Sequence, residues 1–407
     1  MARDSFAVPS SVVSMRTRNP IRAIVDNLKV KPNPQKEFIS LALGDPTTFG
    51  NFKLHPTCVE AVKTQLDSYK ANGYPPSVGI ESARAAVAKA YTRPEAPLTA
   101  ADVILGSGCS DALNLCIGVL ANEGQNILLP MPGFSLYETL ASSKGIECRF
   151  YKLDPARTWE IDLPHLESLV DDNTAAIVVN NPSNPCGSVY SRAHLLDILA
   201  VAEKHKLSII ADEIYADMAF AGHEFVPLAS LTTTVPILTT SGLAKKYLVP
   251  GWRLGWVLIH DRNGAFAEVR KGLLNLTQLI LGPNSIIQAA LPEILKAPQS
   301  FYDQTMAQLE KNAAVSRELL AGIPGLNPVF PQGAMYLMLG IDLTVFPSIA
   351  DDVAFVEKLA EEESVLCLPG KCFRTPGSFI RIVFTPPIEK LESAYNRIRE
   401  FAARHHV

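Results

Sequence analysis

Two adjacent lysines, Lys245 and Lys246, sit in the segment SGLAKKYLVPGWRLGW, and Arg253 follows eight residues after the first. Their neighbours are apolar, so this is not a solvated run of charge. A lysine held in such a pocket near other cations has a depressed pKa and becomes an imine-forming nucleophile. An arginine beside it can grip a phosphate through two parallel hydrogen bonds. Upstream, the apolar run LSIIA ends in Asp212 of DEIY. A carboxylate closing an apolar strand is costly unless a cation or several donors face it. A protonated pyridine nitrogen is one such partner; capping of the next turn is the plainer reading.

Two further segments carry polar groups at the ends of apolar runs. After DVIL comes GSGCSDAL, a small-residue turn opening a helix. Free backbone N–H groups at such a start, with the hydroxyls of Ser107 and Ser110 nearby, suit a phosphate. A tight turn with an N-cap serine has the same composition. After AAIVV comes NNPSNPCG, whose Asn and Pro residues force an irregular, side-chain-rich loop. It is either functional or simply a loop.

The elements that must position these groups follow from hydrophobic patterning. DVILGSG, QNILLP, AAIVVNNP, LSIIADE, VPILTTSG and GWVLIH are short and apolar on both faces, the signature of buried strands. Helical patterns such as SDALNLCIGVLAN, SLYETLASSKG and RAHLLDILAVAEKHK lie between them. Such alternation predicts an α/β fold with a mostly parallel sheet covered by helices. In open sheets of this kind ligands sit outside the carboxyl ends of the strands. The large domain is expected over residues 61–309. A smaller α+β domain follows over 310–407: a long helix (YDQTMAQLEKNAAVSRELL), AMYLMLGI, DDVAFVEKLAEEE, VLCLP, FIRIVF and a terminal helix. Residues 1–60 are expected to form an N-terminal arm and part of that smaller domain.

Composition narrows the function classes. A chain of 407 residues exceeds the size at which one core keeps growing, which favours two domains. The net charge of -4, without blocks of like charge, argues against nucleic-acid and anionic-membrane surfaces. No apolar run reaches membrane-spanning length, so a soluble protein is expected. Seven cysteines, odd in number and without CxxC spacing, read as free thiols in a reducing compartment. A cytoplasmic protein is expected, with a mitochondrial one as alternative if the Arg- and Ser-containing N-terminus is a transit peptide rather than an arm. The eight scattered histidines and the lack of HExxH give no metal site.

Taken together, GSGCSDAL, PGFSLY, NNPSNPCG, ADEIYADM, SGLAKKYLVPGWRLGW and FIRIVF, in this order and spacing, resemble the fold-type I pyridoxal-phosphate-dependent aminotransferases across nearly the whole chain. NPIRAIVDN, GDPTTFGN and PGWRLGW are most similar to the members that act on tyrosine. The resemblance implies that Lys245 carries pyridoxal 5'-phosphate as a Schiff base, Lys246 having the wrong spacing. It implies that Asp212 pairs with the ring nitrogen, that Tyr215 and Asn184 bond the ring's phenolic oxygen, and that Phe134 stacks on the ring. Gly108, Cys109, Ser110 and Arg253 would hold the phosphate, joined by Tyr74 from the neighbouring subunit of a homodimer with shared sites. Arg381 would grip the substrate α-carboxylate, with Gly44 and Asn184 beside it. Many relatives have a serine three residues before the lysine; here it is Gly242, for which Ser241 is a substitute candidate. Arg22, in NPIRAIVDN, lies near the substrate end or is a surface arginine.

The implied reaction is transamination of tyrosine or another aromatic amino acid with a 2-oxo acid acceptor such as 2-oxoglutarate, in ping-pong order. Lys245 would be the general acid–base and Asp212 would keep the ring nitrogen protonated. Three alternatives stand beside it: a broad-specificity aminotransferase using alanine, methionine or aspartate, a carbon–sulfur lyase on the same fold, and a non-enzymatic pyridoxal-binding domain. The assignment of the lysine is directly testable. Lys245→Ala is expected to abolish the visible absorbance of the bound cofactor and nearly all transamination, while Lys246→Ala spares both; the reverse pattern overturns the assignment.

Overall fold

A computed structural model describes residues 8–28 and 30–407; the first seven residues of the expected arm, and Lys29, lie outside the described residues. An eight-stranded sheet forms its centre, in the order Val103–Gly106, Gly255–His260, Ile237–Gly242, Ser208–Asp212, Thr174–Asn180, Asn126–Met131, Glu147–Asp154, Glu160–Ile161. Only Gly255–His260 and the short Glu160–Ile161 run against the others. All six runs read as buried strands are strands of this sheet. The two added at one edge, Glu147–Asp154 and Glu160–Ile161, are polar enough to escape an apolar-run criterion.

Side-chain alternation explains why both faces are apolar. Ile209 and Ala211 join one core cluster, with Ile177, Val179 and Ile237. Ile210 points the other way, with Ala176, Val178 and Leu238. Helix Arg192–Lys204 covers the first face through Leu195, Ile198 and Leu199. Helices Cys109–Leu120 and Ala267–Thr277 cover the second. With a helix on each side, a strand in the middle has no solvent face, and a polar residue within it needs a reason.

A second sheet is antiparallel, in the order Leu326–Val329, Tyr336–Ile341, Phe379–Val383, Leu368–Pro369. Helices Gln299–Leu320, Asp352–Glu363 and Ile388–His405 pack with it. The run VLCLP splits between two pairings: Leu368–Pro369 joins this sheet, while Val365–Leu366 pairs in parallel with Ile39–Ser40. The N-terminal segment is thereby tied to the C-terminal part, as Val383 N–H donating to the Leu41 carbonyl also does, at 2.9 Å. The boundaries expected at residues 60 and 309 both fall inside helices, Pro56–Ser68 and Gln299–Leu320.

Two features place the site. The parallel strands end together at Gly106, Met131, Asn180, Asp212 and Gly242, presenting their carboxyl ends on one side. Helix Cys109–Leu120 starts flush against the antiparallel strand Gly255–His260: a Cβ on Gly255 would lie 2.4 Å from the Cys109 nitrogen and 2.5 Å from the Gly108 carbonyl carbon. No residue larger than glycine fits there without moving the helix start.

Candidate active site

A cavity of about 290 Å³ opens at these strand ends, walled by both sheets and the N-terminal segment. Lys245, Asp212, Tyr215, Cys109, Ser110, Phe134, Asn184, Arg253, Arg381 and Gly44 all line it. Gly108 lies beneath Arg253. Tyr74 does not line it; the side chain stands 93% exposed on the surface of this chain. Arg22 is exposed and lies 3.9 Å from Asp26, although its neighbour Ile21 reaches the cavity.

At the base is Asp212, the last residue of its strand and 2% exposed. Tyr137 donates its hydroxyl to Oδ2 at 2.6 Å. The Ile214 N–H and the Cys109 thiol reach Oδ1 at 3.3 and 3.7 Å. Among the described residues no lysine or arginine pairs with this carboxylate, and burial raises its pKa. The adjacent Glu213 is buried too, and desolvation pushes it up to about 8. Its Oε1 accepts the Leu228 N–H at 2.9 Å, outside the cavity. Of the two acids in DEIY, only Asp212 faces the cavity.

Lys245 follows the next strand, and its Nζ donates to the Gly44 carbonyl at 2.5 Å, 5.8 Å from the centre of the Tyr215 ring. Lys246 turns away, paired with Asp217 at 2.5 Å and lying over the Tyr302 ring. Backbone direction separates the two lysines that spacing alone had to choose between.

One end of the cavity suits an anion. The N–H groups of Cys109 and Ser110 have no acceptor among the described residues. Arg253 sits beside them in the left-handed region (φ 52°), its Nη2 donating to the Ser107 carbonyl at 3.2 Å and its Nη1 to the Pro250 carbonyl at 3.1 Å. A Cβ on Gly108 would meet the guanidinium at 2.6 Å, so glycine there is what lets the arginine cross the helix start. At Gly242 a Cβ would lie 2.8 Å from the Leu254 carbonyl oxygen and 2.9 Å from the Gly255 Cα. Backbone therefore leaves no room there for a side chain such as the serine that the resemblance led one to expect. Ser241 does not replace it: its hydroxyl faces the Glu213 carbonyl oxygen at 3.4 Å and does not line the cavity.

The opposite end holds Arg381, 3% exposed. Its guanidinium lies between the rings of Tyr336 and Phe373, at 4.6 and 4.7 Å. Nη1 donates to the Asn184 side-chain oxygen at 3.0 Å and Nη2 to the Ala42 carbonyl at 2.5 Å, while Nε has no partner. Burial lowers its pKa, and among the described residues no carboxylate pairs with it. Asn184 is fixed in turn by Asn180, whose Oδ1 accepts the Asn184 N–H at 2.7 Å and whose Nδ2 donates to the Asp212 carbonyl at 2.9 Å.

Three residues of the site escaped the sequence reading. Tyr137 follows Phe134 by one helical turn, a spacing that brings both to one face. Tyr336 lies in the apolar strand AMYLMLGI, where a tyrosine hydroxyl must find a partner; it meets the Tyr215 hydroxyl at 2.6 Å. Asn180 was inside a motif but had no individual role.

A buried carboxylate without a cation, a buried cation without an anion among the described residues, and a lysine lining the same cavity suit a group-transfer enzyme. The profile of class I and II aminotransferases matches residues 36–398, and the chain belongs to that family. It is 57% identical over 401 residues to the tyrosine aminotransferase of Mus musculus, covering 98% of this chain and 88% of that one. It is 50% identical to the tyrosine aminotransferase of Dictyostelium discoideum, covering 100% and 98%. The crystal structure of tyrosine aminotransferase from Leishmania infantum superposes with a TM-score of 0.94 at 39% identity, over 99% of this chain and 100% of that one.

The family implies pyridoxal phosphate, and the residues present fit it. The unpaired Asp212 suits a protonated ring nitrogen, and the unbonded N–H groups beside Arg253 suit the phosphate. Asp212 therefore has a cost and a use that can be separated. Asp212→Asn removes a buried charge, so the cofactor-free protein is expected to melt no lower than the unsubstituted one near neutral pH. Cofactor affinity should fall and transamination drop by about a hundredfold or more. Thermal melts without cofactor, with rates measured at saturating cofactor, check both; a near-normal rate removes the role.

Proposed function

We propose that this aminotransferase takes the amino group from tyrosine or another aromatic amino acid and gives it to a 2-oxo acid such as 2-oxoglutarate. The observation that carries the reading is the pairing of Lys245 and Asp212 at one end of a cavity with Arg381 at the other. Bound pyridoxal phosphate supplies the electron sink and carries the amino group between the two half-reactions. Lys245 would hold the cofactor, Asp212 its ring nitrogen, Tyr215 and Asn184 its phenolic oxygen, Phe134 its ring face, and Gly108, Cys109, Ser110 and Arg253 its phosphate.

Arg381 then holds the substrate α-carboxylate, kept in place by Asn184, the Ala42 carbonyl and two aromatic rings. That contact orients the α-carbon, and the amine of Lys245 moves the proton as general acid–base. Gly44 sets the position of Lys245 through its carbonyl. Ile21, Leu43, Phe134 and Leu368 give the remaining wall an apolar character. Among the described residues the cations lining it are Lys245, Arg253 and Arg381, each with a task. The apolar wall suits an aromatic donor and agrees with the likeness to tyrosine aminotransferases. A panel of amino donors against 2-oxoglutarate tests it: tyrosine, phenylalanine or tryptophan should exceed aspartate, alanine and methionine in kcat/KM. A tenfold preference for aspartate would overturn the aromatic reading alone.

A homodimer with shared sites accompanies this function. Tyr74 is exposed at 93%, as are Leu279 at 78% and Tyr69 at 76%, a set of large side chains that a second copy would cover. The second carboxylate of 2-oxoglutarate, which no spare cation among the described residues meets, would then find its partner across the interface. Mixing a Lys245→Ala chain with one inactivated by a bulky Tyr74 substitution gives hybrids with one intact site. Random pairing should restore roughly a quarter of the activity per site. Hybrids that form without activity would mean that Tyr74 does not serve the neighbouring site.

A further inference from the structure

Tyr336, whose ring helps to hold Arg381, touches three parts of the site. Its hydroxyl lies 2.6 Å from that of Tyr215, with the two rings edge to face at 5.6 Å. Its ring covers one face of the Arg381 guanidinium at 4.6 Å. A Cβ on Gly44 would meet the Tyr336 hydroxyl at 2.7 Å, so the residue whose carbonyl receives Lys245 also leaves room for that hydroxyl. Tyr336 is 1% exposed, sits opposite Val383 in the antiparallel ladder and is fixed by the strand that carries Arg381.

We propose that Tyr336 is a positioning residue whose hydroxyl donates to Tyr215 and thereby sets how strongly Tyr215 bonds the phenolic oxygen of the cofactor, while its ring independently holds Arg381. The proposal rests on the roles given above to Tyr215 and Arg381. A hydroxyl carries one proton. If Tyr215 gives its proton to the ring oxygen, its contact with Tyr336 must run the other way, with Tyr336 donating. Hydrogen bonds in a chain polarise one another, so a Tyr215 that accepts from Tyr336 is a stronger donor than one that does not. Two functions thus sit on one side chain: the hydroxyl acts on the cofactor end and the ring on the carboxylate end.

The pH midpoint of the visible absorbance of the cofactor-loaded protein reads the first function. Tyr215 draws negative charge from the ring oxygen, and that charge otherwise helps the lysine-linked imine keep its proton. Tyr336→Phe should therefore raise the midpoint, by about half a unit, and Tyr215→Phe should raise it further. Calorimetric affinity for 3-phenylpropanoate, which offers a carboxylate and an aromatic ring but no amine, reads the second. Tyr336→Phe keeps the ring and should hold this affinity within about twofold, whereas Tyr336→Leu should weaken it about tenfold. An unmoved midpoint in Tyr336→Phe with a raised one in Tyr215→Phe overturns the proposal and leaves Tyr215 in its role. Midpoints unmoved in both variants remove the role of Tyr215 and the proposal with it. A Phe variant that loses carboxylate affinity as fully as the Leu variant also overturns it, since the hydroxyl would then act on Arg381.

Discussion

The unneutralised charge of Asp212 is the constraint around which the rest of the structure is arranged. It ends a strand that is sealed by helices on both faces, where an ionised carboxylate is strongly disfavoured. Its neighbours soften that cost without removing it. The Tyr137 hydroxyl and the Ile214 N–H donate to it, and neither brings a full charge. Glu213, one residue on, meets the same burial in a different way, pushed up to about 8 and therefore largely neutral near pH 7. Burial raises both successive acids, and only the one facing the cavity is placed to meet a cation there.

The cation at the far end is the mirror of this arrangement. Arg381 is buried without a carboxylate, held by an amide oxygen, a backbone carbonyl and two ring faces. Each of these is too weak to neutralise it, which leaves it receptive to an incoming anion. Asn184 and Asn180 link the two ends, since Asn180 touches the Asp212 carbonyl and Asn184 touches Arg381. The loop NNPSNPCG is therefore a rigid spacer between a negative and a positive site.

Much of this was legible in the sequence, for reasons that can be named. Strands buried on both faces write themselves as short apolar runs, and the polar residue that ends such a run stands out. Asp212 was visible on those grounds, and the lysine pair and Arg253 by their apolar surroundings, while the choice of Lys245 over Lys246 came from the resemblance. Arg381 lies between Ile380 and Ile382, which face the helices, so alternation alone sends it to the other side. Tyr137 and Tyr336 were not legible, because a buried tyrosine looks like any other large apolar residue until its hydroxyl partner is known. The edge strand Glu147–Asp154 was missed because only its inner face is apolar. The choice against Ser241 needed the backbone direction, which places its hydroxyl behind the strand.

The walls of the cavity are drawn from residues as distant in sequence as Ile21 and Arg381, and the segment carrying Ala42 and Gly44 is anchored by pairing Ile39–Ser40 with Val365–Leu366. Contacts of such separation form late, because loop closure must precede them. During synthesis the central sheet has all its strands once residue 260 is made, whereas the cavity awaits Arg381. A ribosome-bound intermediate would thus own the buried carboxylate before it owned anything to enclose a ligand. The pairing of Ile39–Ser40 with Val365–Leu366 ties an early-made wall of the pocket to a late-made one: the pocket closes only after Arg381 has been added.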